Sequence, residues 1–261
     1  MTIFICLGFP KCATSTLYDL FRSDQQVCCP VKSEKKIIKD REYITKNNEF
    51  KLFVDVGFGY VYDQENISMI VQNYRVELEN NLIKFIVCIR NPQERYVSKC
   101  NYLMSFKKKI CSDDIFREGM YFRHLSPWVK EFGLNNFYFI HTESFELDYN
   151  SLSKEYGFRK IPHNKKIMSN ASRNRGWVSR FIANYYISKI IPRKFRRILD
   201  ELSSSEGRNS DHVKLCEDFF LKCDLEKMRD DMIEFINYDK KAIGYLYDLN
   251  KLFEKYRNRS V

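Results

Sequence analysis

Two short segments of the sequence carry residue types suited to binding an anion. The first, residues 8–17, reads GFPKCATSTL and places Lys11 and the hydroxyls of Thr14, Ser15 and Thr16 within one turn. An apolar run precedes this turn and a helical pattern follows it, so the N–H groups of the turn and of the helix N-terminus are expected to face one point. A lysine and three hydroxyls at such a point favour a phosphate or sulfate ligand.

This turn departs from the Walker A pattern of nucleoside triphosphatases. That pattern requires Gly directly before the lysine and Ser or Thr directly after it, whereas Pro10 precedes Lys11 and Cys12 follows it. A kinase would also need an aspartate for Mg²⁺ after a strand, for which Asp55 is available. A P-loop-type kinase or NTPase is therefore an alternative hypothesis, and an ordinary strand–helix turn is another.

The second segment, residues 90–98, reads RNPQERYVS. Arg90 follows an apolar run that is typical of a buried strand, and Ser98 lies about two turns into the helix predicted to begin at Pro92. Open α/β sheets bind ligands at the carboxyl ends of their strands. Because arginine suits bidentate contact with phosphate, this segment predicts a second anion contact.

The surrounding pattern predicts an α/β fold with a P-loop-like parallel sheet flanked by helices. Apolar runs at 2–7, 52–56, 84–89 and 137–141 predict strands, and amphipathic helices alternate with them. One of these helices is expected to start at Asp63 and to continue to Leu78. Beyond residue 175 helical patterns continue and the strand signal ends. We predict one domain over 1–261, with a nucleotide-binding core at 1–175 and a helical C-terminal part at 176–261.

Composition limits the partners and the compartment. The chain has 44 Lys and Arg against 34 Asp and Glu, a net charge of +10 that favours an anionic partner. A basic nucleic-acid-binding module is a further alternative, but no recognised motif supports it, and we predict no nucleic-acid partner. Nine cysteines without a CxxC spacing predict reduced thiols and a cytoplasmic location. No stretch is apolar enough to predict a transmembrane segment.

Taken together, the two segments resemble the sulfotransferase family that uses 3′-phosphoadenosine 5′-phosphosulfate (PAPS). Its first loop has the form G-x-P-K-[SC]-G-T-T-x-L, and its second motif is R-[ND]-P-x-x-R-x-x-S. Residues 139–145 are also similar to the family's strand carrying Y-E-D-L. The resemblance implies that the first loop binds the 5′-phosphosulfate and that the second motif binds the 3′-phosphate. The donor-binding residues it implies are Lys11, Cys12, Ala13, Thr14, Ser15, Thr16, Arg90 and Ser98.

The resemblance also implies a mechanism without a metal ion. An acceptor hydroxyl attacks the sulfur in line, 3′,5′-bisphosphoadenosine (PAP) departs, and Lys11 stabilises the charge on the leaving oxygen. A general base takes the proton of the hydroxyl. Glu34, two positions after Lys32, is the predicted base, with Asp55, His124 and His141 as alternatives.

Departures from the family pattern bear on the acceptor. Ala13 stands where the family has Gly, and Ser33 interrupts its Lys-Glu pair. The C-terminal K-G-x-x-G segment of small-molecule sulfotransferases has no counterpart. This absence and the basic surface make the chain similar to the carbohydrate-acting branch, so the implied acceptor is a hydroxyl of a glycan, with acidic glycans among the candidates.

Overall fold

The computed structural model of the protein describes residues 1–31, 36–105, 111–161, 220 and 223–257. Within these ranges, five parallel strands form one sheet in the order β2-β3-β1-β4-β5. The strands are β1 (Thr2–Gly8), β2 (Val27–Cys28), β3 (Leu52–Phe58), β4 (Ile83–Ile89) and β5 (Phe137–His141). The predicted α/β class and the four predicted strands are confirmed. The two-residue β2 is too short to leave a periodic signal in the sequence.

Helices connect and flank the strands. In chain order they are α1 (Thr14–Arg22), α2 (Lys36–Lys39), α3 (Glu42–Lys46), α4 (Glu65–Asn73), α5 (Arg75–Glu79), α6 (Pro92–Ser105), α7 (Ser112–Arg117), α8 (Tyr121–Phe132), α9 (Phe145–Tyr156), α10 (Leu225–Phe235) and α11 (Ile243–Arg257). Short 3₁₀ turns span Tyr60–Tyr62, Leu134–Asn136 and Lys240–Ala242. Helix α6 begins at Pro92, as predicted.

The prediction of a single helix from Asp63 to Leu78 is wrong. The segment forms two helices, α4 and α5, which are separated at Tyr74, where the backbone leaves the helical region at φ −129°. Tyr74 is buried and donates its hydroxyl to the carbonyl of Ile37. Asp63 accepts a hydrogen bond from the N–H of Glu65 at 3.2 Å, although the residue at the N-cap is Gln64.

The sheet places the two predicted anion-binding segments side by side. Strand β1 lies between β3 and β4, and Cys6 pairs with Ile86 in the parallel register of β1 and β4. Every residue of β4 is buried, as expected for a parallel strand with both faces covered. The loops that follow β1 and β4 therefore emerge at one carboxyl edge, where open α/β sheets bind ligands.

The helices predicted at 177–191 and 192–202 lie outside the described residues, as does the helix predicted at 211–221 except for Phe220. The helix predicted at 225–236 is confirmed as α10. The helix predicted at 238–256 starts later, at Ile243, because residues 240–242 form a 3₁₀ turn; it is α11, and α10 packs against both α8 and α11. The single-domain organisation of 1–261 stays a prediction. None of the helices in the described ranges is long and apolar enough to cross a membrane. The eight described cysteines are free thiols.

Candidate active site

The loop between β1 and α1 has a backbone shaped for close approach of a ligand. Lys11 and Ala13 both adopt left-handed conformations, at φ 70° and 61°, and Cys12 lies between them. Alternation of this kind turns successive N–H groups toward one concave side, which makes an anion-binding nest. Gly8 is required where the loop begins, because a Cβ there would lie 2.3 Å from Cγ2 of Thr14.

The amino group of Lys11 lies in a concentrated positive environment. Burial lowers the pKa of Lys11, and the charges of Arg90 and Lys99 lower it further. Its Nζ lies 4.7 Å from the ring centroid of Tyr102, an aromatic face that can stabilise a cation. Arg90 and Lys99 also pair with Glu94 and Glu118, at 2.7 and 3.1 Å. Even so, three cations around one partly buried point favour an anion as the ligand.

The other side chains of the loop differ in how far they are exposed to a ligand. Burial raises the pKa of the Cys12 thiol to about 12, and its Sγ lies 3.8 Å from the hydroxyl of Tyr121. Thr14 and Thr16 are buried, whereas Ser15 is half-buried. Cys12 is therefore a packing residue, and its backbone N–H donates to the carbonyl of Phe9 at 3.3 Å, a long hydrogen bond that a ligand would have to share or replace.

Arg90 lies directly after β4, as predicted. Its Nη2 is 2.7 Å from Oε2 of Glu94, one turn along α6. Its backbone is held by Tyr121, which donates its hydroxyl proton to the Arg90 carbonyl at 2.6 Å and accepts the Arg90 N–H at 3.2 Å. Ser98 is half-buried on α6, beside Lys99 in the sequence. The fold thus brings Lys11, Arg90 and helix α6 to one edge of the sheet.

The two carboxylates predicted as candidate bases differ in what the structure shows of them. Glu34 lies outside the described residues. Asp55 is fully buried, and its oxygens accept hydrogen bonds from the N–H groups of Ile37 and Ile38 and from the hydroxyl of Tyr60. Asp55 therefore stabilises the start of α2, and an acceptor hydroxyl has no access to it.

The two histidines have opposite protonation tendencies. Burial lowers the pKa of His124, whose Nε2 lies 2.9 Å from the carbonyl of Arg117. Burial would also lower the pKa of His141, but contacts with Asp148 and Asp239 outweigh it and raise the value to about 9. Both ring nitrogens of His141 face buried carboxylates, at 3.0 Å from Asp148 and 2.8 Å from Asp239, so neither is available to take a proton from a substrate.

Sequence reasoning missed three contributors to this edge. Asn91 lies inside the second motif and Lys99 directly follows it, so their positions offered a signal that went unused. Tyr121 lies 31 positions from Arg90, and no local pattern connects the two.

The chain is similar to one family of known proteins and, at low identity, to solved structures. Among solved structures, that of a sulfotransferase from Alicyclobacillus acidocaldarius has a TM-score of 0.45 and 15% identity, covering 59% of this chain and 78% of that one. The mouse sulfotransferase SULT7A1 complexed with PAP has a TM-score of 0.45 and 14% identity, covering 96% of this chain and 88% of that one. A search of curated proteins found no match. A family model described as the sulfotransferase domain matches residues 2–174, well over half of the chain, and the protein therefore belongs to the sulfotransferase family of enzymes.

Proposed function

We propose that the protein transfers the sulfuryl group of PAPS to a hydroxyl group of a carbohydrate. The observation that carries the proposal is the partly buried amino group of Lys11, whose pKa is lowered by burial and by the charges of Arg90 and Lys99. These cations converge beside a left-handed loop at the carboxyl edge of the sheet. PAPS offers two anionic groups, and the two loops at this edge offer two places to bind them.

The loop after β1 suits the phosphosulfate. Lys11 and Ala13 are left-handed, a backbone conformation found in anion-binding nests, and Gly8 leaves room where a larger residue would collide. Lys11 would neutralise the charge that develops on the leaving phosphate oxygen. Cys12, Ala13, Thr14, Ser15 and Thr16 would hold the 5′-phosphate through the turn and the helix N-terminus, and Arg90 with Ser98 would hold the 3′-phosphate.

The reaction is an in-line substitution at sulfur. The acceptor oxygen forms a bond to sulfur while the bond from sulfur to the bridging phosphate oxygen breaks, and PAP leaves with the electron pair. The proton of the acceptor hydroxyl passes to a base, which we assign to Glu34. Glu34→Gln should reduce kcat by 10²–10⁴-fold while PAP affinity stays unchanged. Glu49→Gln, an exposed residue distant from both loops in the sequence, is the control. Full turnover by Glu34→Gln would refute the assignment.

The donor is tested by thermal stabilisation. A ligand that binds only the native state at a hundredfold excess over its Kd stabilises by about 2.7 kcal/mol. PAP should raise the Tm by the corresponding amount, and ATP should raise it much less, because only PAP offers a 3′-phosphate to Arg90 and Ser98. Equal shifts from the two nucleotides would favour the kinase alternative and refute the proposal.

The carbohydrate acceptor is supported by the positive charge of the chain and by the family branch that its sequence resembles. Incubation with PAPS and a panel of neutral and acidic glycans, followed by mass spectrometry, should show a gain of one sulfate on a glycan. Phenols and a tyrosine-containing peptide belong in the same panel. Transfer to these acceptors alone would leave the sulfotransferase assignment intact and refute the carbohydrate acceptor.

A further inference from the structure

Residues outside the two motifs hold the loop that carries Arg90. We define the Arg90 loop as Arg90 and Asn91, the two residues between β4 and α6. Asn91 is held on three sides. Its Oδ1 accepts the N–H of Gln93 at 3.1 Å, its own N–H donates to Oε1 of Glu143 at 2.9 Å, and its Nδ2 donates to Oδ2 of Asp248 at 2.8 Å. Two of these partners are carboxylates from distant parts of the chain.

Helix α11 contributes to both carboxylate contacts. It carries one of the two carboxylates, and it carries the tyrosine that hydrogen-bonds to the other. Asp248 lies on α11 itself. Glu143, just after β5, accepts a hydrogen bond from the hydroxyl of Tyr245 on its second oxygen, Oε2. Tyr245 is buried, so that its hydroxyl fixes the orientation of the Glu143 carboxylate that accepts the Asn91 N–H.

Helix α10 reaches the same loop by a second route. Its Asp231 accepts the N–H groups of Phe122 and Arg123 at 3.1 and 2.9 Å, which satisfies the N-terminus of α8. The first residue of α8 is Tyr121, whose hydroxyl forms both backbone hydrogen bonds to Arg90. The ring of Tyr121 also lies 5.4 Å from that of Phe235 on α10.

A cluster of charged side chains joins the end of β5 to the segment that precedes α11. Nδ1 of His141, the last residue of β5, lies 3.0 Å from Oδ2 of Asp148, and its Nε2 lies 2.8 Å from Oδ2 of Asp239. Lys241 adds a contact of 2.6 Å to the other oxygen of Asp148. Since Asp239 caps and Lys241 lies within the 3₁₀ turn that leads into α11, the cluster anchors the segment from which that helix begins.

We infer that α10 and α11 set the donor specificity of the enzyme by positioning the Arg90 loop for the 3′-phosphate, with Glu143, Tyr245 and Asp248 as positioning residues. This inference rests on the proposed use of PAPS. It assigns a role in the site to helices that lie beyond residues 2–174, the part that matches the family. The hydrogen bonds run to the backbone and amide of the loop, which leaves the guanidinium of Arg90 for the ligand and for Glu94.

The test compares two nucleotides that differ only in the 3′-phosphate. Calorimetric Kd values for PAP and for adenosine 5′-phosphate are measured on the wild type, Tyr245→Phe and Asp248→Ala. In each variant PAP affinity should fall roughly tenfold, the scale of one hydrogen bond to a charged group, while affinity for adenosine 5′-phosphate stays constant. Tyr247→Phe is the matched control, because Tyr247 is an exposed tyrosine on the same helix.

The outcomes separate the inference from the function on which it rests. A reduced ratio of the two affinities in Tyr245→Phe and Asp248→Ala, with the ratio unchanged in Tyr247→Phe, supports the inference. A wild-type ratio in both variants overturns it, as does an equal loss of affinity for both nucleotides, which indicates a purely structural role. Asp248 is exposed, so its variant tests the inference even if Tyr245→Phe does not fold. A wild type that binds both nucleotides equally refutes the proposed donor itself.

Discussion

At the scale of single residues, the site is governed by charges and conformations that the surrounding protein makes unfavourable. Lys11 is partly buried beside two other cations, and its backbone is left-handed. Such features cost free energy in the unliganded protein and are typical of functional sites. An anionic ligand that contacts Lys11 would offset part of this cost, which links the strain of the loop to binding.

The first prediction concerns the side chain of Lys11. Lys11→Ala should lower kcat by roughly 10²–10³-fold, because it removes one preorganised group that stabilises charge in the transition state. The Tm should not fall, since the substitution also removes a charge repelled by Arg90 and Lys99. Lys130→Ala, an exposed lysine on α8, is the control. Turnover at the wild-type rate would show that the loop is only a connection between β1 and α1.

The second prediction concerns Ala13. A left-handed conformation costs an L-residue roughly 1–2 kcal/mol, and the added flexibility of glycine in the unfolded chain costs about 0.4–1 kcal/mol. Ala13→Gly should therefore stabilise the protein, by up to about 1 kcal/mol, as measured by urea denaturation. Ala242→Gly, in a buried 3₁₀ turn, should destabilise it by about 1 kcal/mol. Destabilisation by both substitutions would contradict the left-handed conformation of residue 13.

At the scale of secondary-structure elements, the site depends on how closely β1, β3 and α1 approach. A Cβ at Gly8 would lie 2.3 Å from Cγ2 of Thr14, at the start of α1, and 3.0 Å from the carbonyl of Gly57 in β3. Thr14 and Gly57 cannot both move away without shifting an element. The first glycine of the motif is thus a packing requirement of these elements.

Gly8→Ala should accordingly destabilise the protein by about 1–3 kcal/mol, the usual cost of overpacking, and should weaken PAP binding by displacing α1. Adding Thr14→Ser removes the nearest clashing methyl group and should restore part of both losses. Gly244→Ala serves as the control, because its Cβ would meet nothing within 4 Å, and this substitution should be neutral or stabilising. Chemical denaturation and calorimetry measure the two effects, and a harmless Gly8→Ala would contradict the close approach.

At the scale of the whole molecule, a buried ion cluster joins the end of the sheet to the C-terminal helices. His141 lies between Asp148 and Asp239, and Lys241 contacts Asp148. Burial alone would lower the pKa of His141, but these carboxylates raise it to about 9 from its ordinary value of 6.5. The same contacts hold the pKa of Asp148 below its usual range, although burial acts in the opposite direction.

The sign of the pH dependence follows from linkage. Because the pKa of His141 is raised on folding, its stabilisation is complete below about pH 6.5 and is lost as the pH rises through 9. The loss should be on the order of 3 kcal/mol, the equivalent of the difference between the two pKa values. Urea denaturation between pH 6 and 9.5 should show this decline for the wild type and a flatter profile for His141→Gln. An NMR titration of His141 with a midpoint near 6.5 would contradict the prediction without relying on the variant.

The sequence alone determined the parts of the protein that depend on local patterns. The apolar runs of β1, β3, β4 and β5 were readable because each is continuous and bounded by turn residues. Helix α6 was readable because Pro92 fixes its first residue. The two segments proposed to bind the donor were recognisable for the same reason, since their lysine, hydroxyls and arginine are close together in the chain.

Only the tertiary structure decided the contacts that orient the site. Asn91 and Asp248 are 157 positions apart, and neither carries a local signal of the other. Asp55 could serve as a base or as a buried acceptor by its chemistry, and the position of α2 above it made it a buried acceptor. By residue type His141 could accept a proton, but in the structure two carboxylates from separate elements contact its ring nitrogens. Residue type sets what a side chain can do, but pKa and access depend on neighbours that folding brings from elsewhere in the chain.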